Sequence, residues 1–457
     1  MANAQTSERL TPLDVIMPRT YINVFLSFHT TKSSSSLLQI LNRGLGDLCI
    51  QVPWLSGHVF LASPPEIRSD SAADTTVMLV DKGSISVSYE EFCLGGMLPT
   101  VIPPALWPEV SNPADEHSEV GEPVFRASFF RFSDAQGVGL CVSMHHNTVD
   151  AYGIAEVIKM WARNIGHSGY VTSVDVGERV ARLKQGLSPN LQMVSSKDLD
   201  SLFASHPEYS RDPPGMPLEF SPCTCKMFTI PMTEVEATKH QLREYMTSFP
   251  STNAVICALV WSSITRVRAK RNPALLQEIC QLVSAVDGRR RVNEQFSESK
   301  NPYLGNFVLY AMASLSAQEL GVFFEQPSSQ ALAKICTVIS DSQSSTHINS
   351  QHISEVVSLV EHLEYSIYPG WDLFKSRDLT ISSWADLDFY NMEFGTELGS
   401  PDCVRIPYTE ADGVCLILPR KKFAANGNLF KEVVEIMVML REDDMDCLKN
   451  NWKEFCP

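Results

Sequence analysis

The stretch 138–161, VGLCVSMHHNTVDAYGIAEVIKMW, constrains the chain more than any other. Val138, Leu140, Val142, Met144 and His146 fall on one side of a period-two pattern, and Gly139, Cys141, Ser143 and His145 on the other. The segment therefore reads as a strand whose apolar face ends in an imidazole. Beyond Gly153, the residues Ile154, Val157, Ile158 and Trp161 recur at helical spacing, so the chain leaves the strand through NTVDAYG and turns back as an amphipathic helix. A strand end is a rigid place to hold a general base, and a loop there can open onto a cleft. Spacing alone leaves a second reading open, in which His146 and Asp150 cap a helix or satisfy a buried ring. A His-x-x-x-Asp match fixes only two residue types in a chain with 11 histidines and 53 acidic residues.

At 457 residues the chain is too long for one ordinary core and calls for two large domains or three. With 44% apolar and 20% charged residues it has the material to bury such cores. The formal charge of −16 argues against nucleic acid as a partner, because neutralising phosphates takes a basic excess. No apolar run reaches the roughly 18 to 20 residues of a membrane span, and the N-terminal segment lacks the basic and apolar regions of a secretory signal, so a cytoplasmic protein is expected. The 12 cysteines are scattered, with no Cys-x-x-Cys, which argues against a zinc site or a disulfide framework; no metal is expected. Neither a phosphate-cradling Gly-x-x-x-x-Gly-Lys-Ser/Thr loop nor a Gly-x-Ser-x-Gly elbow occurs.

In chain order, 21–28 alternates as a first strand, and leucines and Ile40 in 37–48 outline a helix ending near Gly44 and Gly46 or shortly beyond, before Pro53. Strands are expected at 58–62, 76–80 and 84–89, the last two around a turn at 81–83, then a long surface excursion over 97–119. Segments 125–132 and 138–146 should form a hairpin. The polar run 179–205 shows no clear element, and the four prolines of 210–225 mark a linker between an N-terminal domain (1–209) and a C-terminal one (226–457). In the second half, 251–268 reads as a capped helix buried all round, 279–286 and 307–313 as strands, 328–360 as helical, and 380–384 and 413–419 as strands, with helix and strand signals continuing to 440. The class is α/β or α+β in two similar-sized halves.

Several segments, in this order, resemble one family: LLQILNRGLGDLCIQVPWLSGHV, MHHNTVDAYG, STNAVICALVW, VDGRRRV with YLGN, ISSWADLDFYNMEFG, and DGVCLILP. Together they are similar to the BAHD acyltransferases, especially the fungal secondary-metabolite branch that includes trichothecene 3-O-acetyltransferase, over nearly the whole chain. The resemblance implies two chloramphenicol-acetyltransferase-like domains joined by a long crossover, with a channel between them, and acyl transfer from a CoA thioester, acetyl-CoA first among them, to a hydroxyl of a small secondary metabolite. It implies a monomer. His146 matches the family's catalytic histidine, a general base with an ordinary pKa of about 6.5 that is mostly neutral at cytoplasmic pH. His145 is expected to pack or orient. Asp150 matches an aspartate that pairs with an arginine, for which Arg289 is the best match; the competing reading of Arg289 is a solvated member of a basic triplet. Trp384 matches an indole that steadies the tetrahedral oxyanion, a contact worth roughly 3 kcal/mol, or is a core aromatic. Ser251 and Thr252, which are also helix-cap residues, and Ser382 and Ser383 are the positions expected near the thioester.

The chain departs from the family pattern at 393–399. Where Asp-Phe-Gly-Trp-Gly is usual, Glu393, Phe394, Gly395, Thr396, Glu397, Leu398 and Gly399 stand here, so the carboxylate is longer and the tryptophan is gone. The family uses this motif to shape the channel wall, so thioester binding or acceptor shape is what the change puts at stake. Basic clusters at Arg266, Arg268, Lys270, Arg271 and at Arg420, Lys421, Lys422 could meet coenzyme phosphates or be ordinary solvated surface. Two other readings of the fold remain at this level: condensation on a carrier-bound substrate, and a cyclase or binding protein that transfers no acyl group.

Overall fold

The computed structural model describes residues 6–62, 64–69, 78–110, 121–166, 178–194, 198–298, 300–321, 328–363, 366–421 and 432–455. By internal contacts the chain forms two compact units. The first comprises Met1–Ser188, Val292–Phe307 and Leu387–Pro407; the second comprises Pro189–Arg291, Val308–Asp386 and Tyr408–Pro457. The proline-rich 210–225 falls wholly within the second.

The first unit holds a five-stranded sheet in the order Cys403–Arg405, Tyr21–His29, Gly137–His145, Phe125–Arg131, Leu79–Ser84. The expected hairpin forms, with Phe125 opposite Met144 and Arg131 opposite Val138. On its other side the histidine strand pairs antiparallel with the first strand, Tyr21 opposite His145 and His29 opposite Gly137. A strand with neighbours on both edges and cover on both faces is buried along its length, and all nine residues of Gly137–His145 are. A smaller sheet joins Thr6–Arg9, Glu66–Ser69, His58–Phe60 and Glu122–Pro123.

The helix Ala151–Gly166 returns along this sheet against the helix Ser34–Gln51. The indole N–H of Trp161 donates to the Leu41 carbonyl at 2.9 Å, and a Cβ on Gly44 would stand 2.7 Å from Ile165 Cγ1. This close approach explains why the first long helix runs through both glycines to Gln51 instead of stopping at them: Gly44 is where the second helix comes in.

Two local expectations are corrected. The proposed turn at 81–83 lies inside the strand Leu79–Ser84, and 84–89 is no strand, because Ser88 and Glu91 form a capping box that starts the helix Tyr89–Leu94; the expected 76–80 strand begins outside the described residues. The run 179–205 is helical, as Arg179–Val194 and Leu199–Ser205, the latter capped by Asp198. Its polarity hides the helical period, but Asp198 serves as a cap and Arg179 as a tertiary anchor.

The second unit is organised on a six-stranded mixed sheet, in the order Cys223–Pro231, Val433–Arg441, Val414–Ile417, Leu379–Ser383, Ile279–Asp287, Val308–Ser316. The helix Thr252–Arg271 is buried on every side from Ala254 to Ala269, as its uninterrupted apolar circumference requires. The helical stretch at 328–360 is two helices, Ser329–Ser342 and Ser350–His362, the second started by Asn349, whose side chain accepts from the N–H groups of Gln351 and His352.

Candidate active site

His146 is the first residue past its strand, and its backbone is held on both sides. Its N–H donates to the Thr20 carbonyl at 2.8 Å, and its carbonyl accepts from the Asn306 amide at 2.7 Å. The neighbouring turn residues are committed to structure. Asn147 donates to the carbonyls of Asp14 and Met17, closing the turn onto the short helix Pro12–Val15, and Thr148 Oγ1 donates to the His145 carbonyl at 2.7 Å. Asp150 is buried; one carboxylate oxygen accepts from Gly153 N–H at 2.9 Å and the other from Phe307 N–H at 2.8 Å. The capping reading of Asp150 is thus correct as far as it goes, and the same carboxylate also pins the 302–307 loop.

The His146 ring is the exception. It is partly exposed, and its Nδ1 is shielded from solvent without a hydrogen bond. Burial pushes the imidazole below its ordinary pKa, against the opposing pull of the Asp150 charge and the Asn306 side chain, so the ring is neutral at physiological pH. Asn306 Oδ1 is likewise buried without a partner. An Nδ1–H and an amide oxygen are complementary, and a base that uses Nε2 carries its proton on Nδ1.

His145 is built differently. It is fully buried, its Nδ1 accepts from Asn147 N–H at 3.2 Å, and its Nε2 lies 2.5 Å from Glu122 Oε2. With Nδ1 accepting, Nε2 must be the protonated nitrogen and donates to the carboxylate. Burial works against the Glu122 charge, but hydrogen bonds from His145 and Arg19 outweigh it and hold the carboxyl below the usual carboxylate value. Both nitrogens of His145 are therefore occupied.

The support for His146 extends to residues the sequence did not single out. Asn306 receives its orientation from Asp14, whose Oδ1 accepts from the Asn306 backbone at 2.8 Å and its side chain at 2.9 Å. The other Asp14 oxygen accepts from Thr11 and from the buried Arg179 guanidinium, which also reaches Glu8 and the Thr148 carbonyl. Arg179 lies over the Trp54 ring at 4.8 Å. The link from Asp14 to the site left no sequence signal, since Arg179 and Asn306 are 165 and 292 positions away and only its capping box with Thr11 is local; Asn306 stands in the YLGN segment without an assigned role.

Gly153 is required by close approach. A Cβ there would stand 2.2 Å from the Leu304 carbonyl oxygen, in the loop that carries Asn306. Gly153→Ala is expected to push that loop outward, with a stability loss of about 1–3 kcal/mol and a fall in kcat larger than the change in KM. Urea unfolding together with steady-state kinetics checks this; unchanged values for both would show that the loop yields freely.

The other predicted positions are placed as follows. Glu393 is exposed, while Phe394 is buried 5.0 Å from the Phe28 ring. Gly395 has φ +73° and packs by Ile165 and Gly166, at the far end of the helix that Asp150 begins, roughly 20 Å along its axis. In the second unit, Arg289 is fully buried and bonds Asp287 at 2.9 Å, which rules out the competing reading of a solvated side chain. Trp384 is buried, following the half-exposed Ser382 and exposed Ser383. Ser251 caps the long helix by accepting from Ala254 N–H at 3.0 Å, and Thr252 Oγ1 accepts from Lys239 at 3.3 Å. The solvated reading of the Arg266 to Arg271 cluster is corrected for Arg266 and Arg268, which are buried, Arg268 bonding Asp412; Lys270 and Arg271 are exposed, Arg271 bonding both oxygens of Asp444. In the other cluster Arg420 bonds Asp386, and Lys422 lies outside the described residues. A cavity of about 530 Å³ in the second unit is lined by Asp372, Asp378, Asp412 and Glu410 and contains none of the predicted positions.

A strand-end imidazole, fixed by its backbone and without a hydrogen bond at Nδ1, stands on a mixed α/β scaffold. The chain belongs to the Transferase family, the BAHD family of the sequence resemblance, whose model matches residues 4–455. Trichothecene 8-O-acetyltransferase of Fusarium sporotrichioides is 24% identical, over 96% of this chain and 95% of its own length. An O-acetyltransferase of Aspergillus oryzae, astG, is 25% identical over 91% and 95%. Among solved structures, Fusarium graminearum TRI101 complexed with coenzyme A and T-2 mycotoxin shares the fold with a TM-score of 0.76, 17% identity and 97% coverage of both chains. Among the described residues no helix is long and apolar enough to cross a membrane.

Proposed function

We propose that the protein is an acyl-CoA-dependent O-acyltransferase, moving an acetyl group from acetyl-CoA to a hydroxyl of a small secondary metabolite. The observation that carries this reading is the His146 ring, neutral, with Nδ1 turned inward and free of hydrogen bonds, beside turn residues Asn147, Thr148 and Asp150 that each bond to the surrounding structure. Membership of the Transferase family and the O-acetyltransferase names of its relatives support the reaction class.

In this reading Nε2 of His146 takes the proton of the acceptor hydroxyl as the oxygen attacks the thioester carbonyl. The C–S bond then breaks, and the proton passes to the departing thiolate, giving the ester and free coenzyme A. A base is needed because an alcohol is a much weaker acid than the thiol that leaves. Asp150 and Asn306 position the ring. Trp384 is proposed as the oxyanion donor, with Ser251, Thr252, Ser382 and Ser383 serving the thioester and Arg289 a structural role. The protein is proposed to act as a cytoplasmic monomer, with a small-molecule acceptor and no nucleic-acid or membrane partner.

Acceptor-dependent release of thiol from acetyl-CoA, followed by mass spectrometry of the product for the added acetyl group, tests the reading. A panel of acyl-CoA donors and secondary-metabolite alcohols should include pairs that turn over. Failure to bind any acyl-CoA by calorimetry would exclude it and favour a non-acylating role on the same fold.

A further inference from the structure

A second cluster of chemistry-bearing side chains lies in the second unit, where the segment after the helix Leu199–Ser205 meets the helix Ser350–His362. His206 Nδ1 stands 3.1 Å from Glu208 Oε1, and His352 Nε2 stands 3.4 Å from the same oxygen. One ligand atom each from His206, Glu208 and His352 lies within 4.8 Å of the others. His206 and Glu208 are buried, and His352 is nearly so, with a solvent-shielded Nε2 that forms no hydrogen bond despite its nearness to the carboxylate.

We propose that His206, Glu208 and His352 bind one divalent transition-metal ion, for which zinc is the best match. Bonds of about 2.0–2.1 Å in a tetrahedron separate neighbouring donors by about 3.3 Å, close to both spacings seen here. Two imidazoles and one carboxylate suit zinc, whereas calcium or magnesium would call for an oxygen set. The orientation of His206 agrees: its Nε2 lies 2.9 Å from Glu355 Oε2, so an N–H donated there leaves the Nδ1 lone pair facing Glu208. Glu355 is itself steadied by the Gln351 amide at 2.9 Å. Such a carboxylate behind a histidine fixes the tautomer a metal needs. The cluster borders a cavity of about 450 Å³ that also touches Tyr310, Thr346 and Asn349, which gives room for a water molecule as fourth ligand. A bound ion would tie 206–208 to the helix Ser350–His362, and no step of acyl transfer passes through it.

The competing account makes His206 an imidazolium clamped between Glu208 and Glu355, with no use for a metal. Full-length protein stripped with a chelator and titrated with zinc chloride separates the two. The expected result is about one zinc per chain by calorimetry and elemental analysis, and a melting temperature raised by roughly 3 °C in excess zinc. Glu208→Gln and His352→Ala, each checked for folding by circular dichroism, should lower zinc affinity at least tenfold. His347→Ala, on the exposed wall of the same cavity, should not. Wild-type protein that takes up no zinc and melts at an unchanged temperature overturns the proposal, as does unaltered affinity in a folded Glu208→Gln. The wild-type titration needs no variant, so a substitution that fails to fold leaves the test intact.

Discussion

His146→Ala is expected to lower turnover by about two to four orders of magnitude while leaving the fold in place. Both halves of the expectation follow from how the residue is held. Its backbone N–H and carbonyl are bonded to Thr20 and Asn306, and alanine keeps both groups, whereas the ring's Nδ1 makes no hydrogen bond whose loss would strand a partner. Far-ultraviolet circular dichroism and the melting temperature should match those of the wild type, and acetyl-CoA-dependent thiol release should fall. Wild-type-like turnover in the folded variant would remove His146 from the mechanism.

The pH profile supplies an independent check on the same residue. Burial lowers the His146 pKa below its ordinary value of about 6.5, with the Asp150 charge and Asn306 opposing and the neighbouring His145 adding to the lowering. A base works only when unprotonated, so kcat/KM should be level through neutrality and decline with acid only below pH ~6.5. An acid limb centred above that value would mean that another group titrates or that the ring is more solvated than its surroundings imply.

The second large effect is expected at Asp14. Replacing it by alanine should destabilise the protein by roughly 3–5 kcal/mol, read as a lowered urea midpoint in the unfolding of the first unit. The carboxylate accepts from Thr11, from two groups of Asn306 and from Arg179, and it is fully buried. Removing it leaves the Asn306 donors without an acceptor and strips the buried Arg179 guanidinium of one of its two carboxylate partners. Glu8 still pairs with Arg179, which keeps the cost below that of a wholly unpaired buried charge. Since Asn306 then loses the bonds that aim it at the His146 carbonyl, turnover should also fall, by less than in His146→Ala. A loss of stability under about 1 kcal/mol would show that Asp14 is replaceable, by water or by rearrangement of Glu8.

The hairpin 125–145 and the helix after it were legible because each rests on a local period: alternation makes one face of a strand apolar, and a repeat near 3.6 does the same for a helix. The helix at 89–94 was missed although its capping box was in plain view, because the alternation of 84–89 was given precedence over Ser88 and Glu91. Arg268 is illegible in the sequence for another reason. An arginine run reads as solvated until folding supplies a buried partner, here Asp412.

The sequence by itself determined that a histidine ends a buried strand, that an aspartate starts the next helix, and that the ordered motifs around them belong to one family of acyltransferases. Those features depend on residues within a few positions of one another, or on motif order, and both survive in a one-dimensional string. Only the tertiary structure decided which of the two histidines has a free ring. His145 is taken up by Glu122, 23 positions away, while His146 is held through its backbone by Asn306, 160 positions away, and through that residue by Asp14. Hydrogen bonds over such separations exist only once burial makes an unpaired polar group expensive, and that condition arises from packing, not from spacing along the chain.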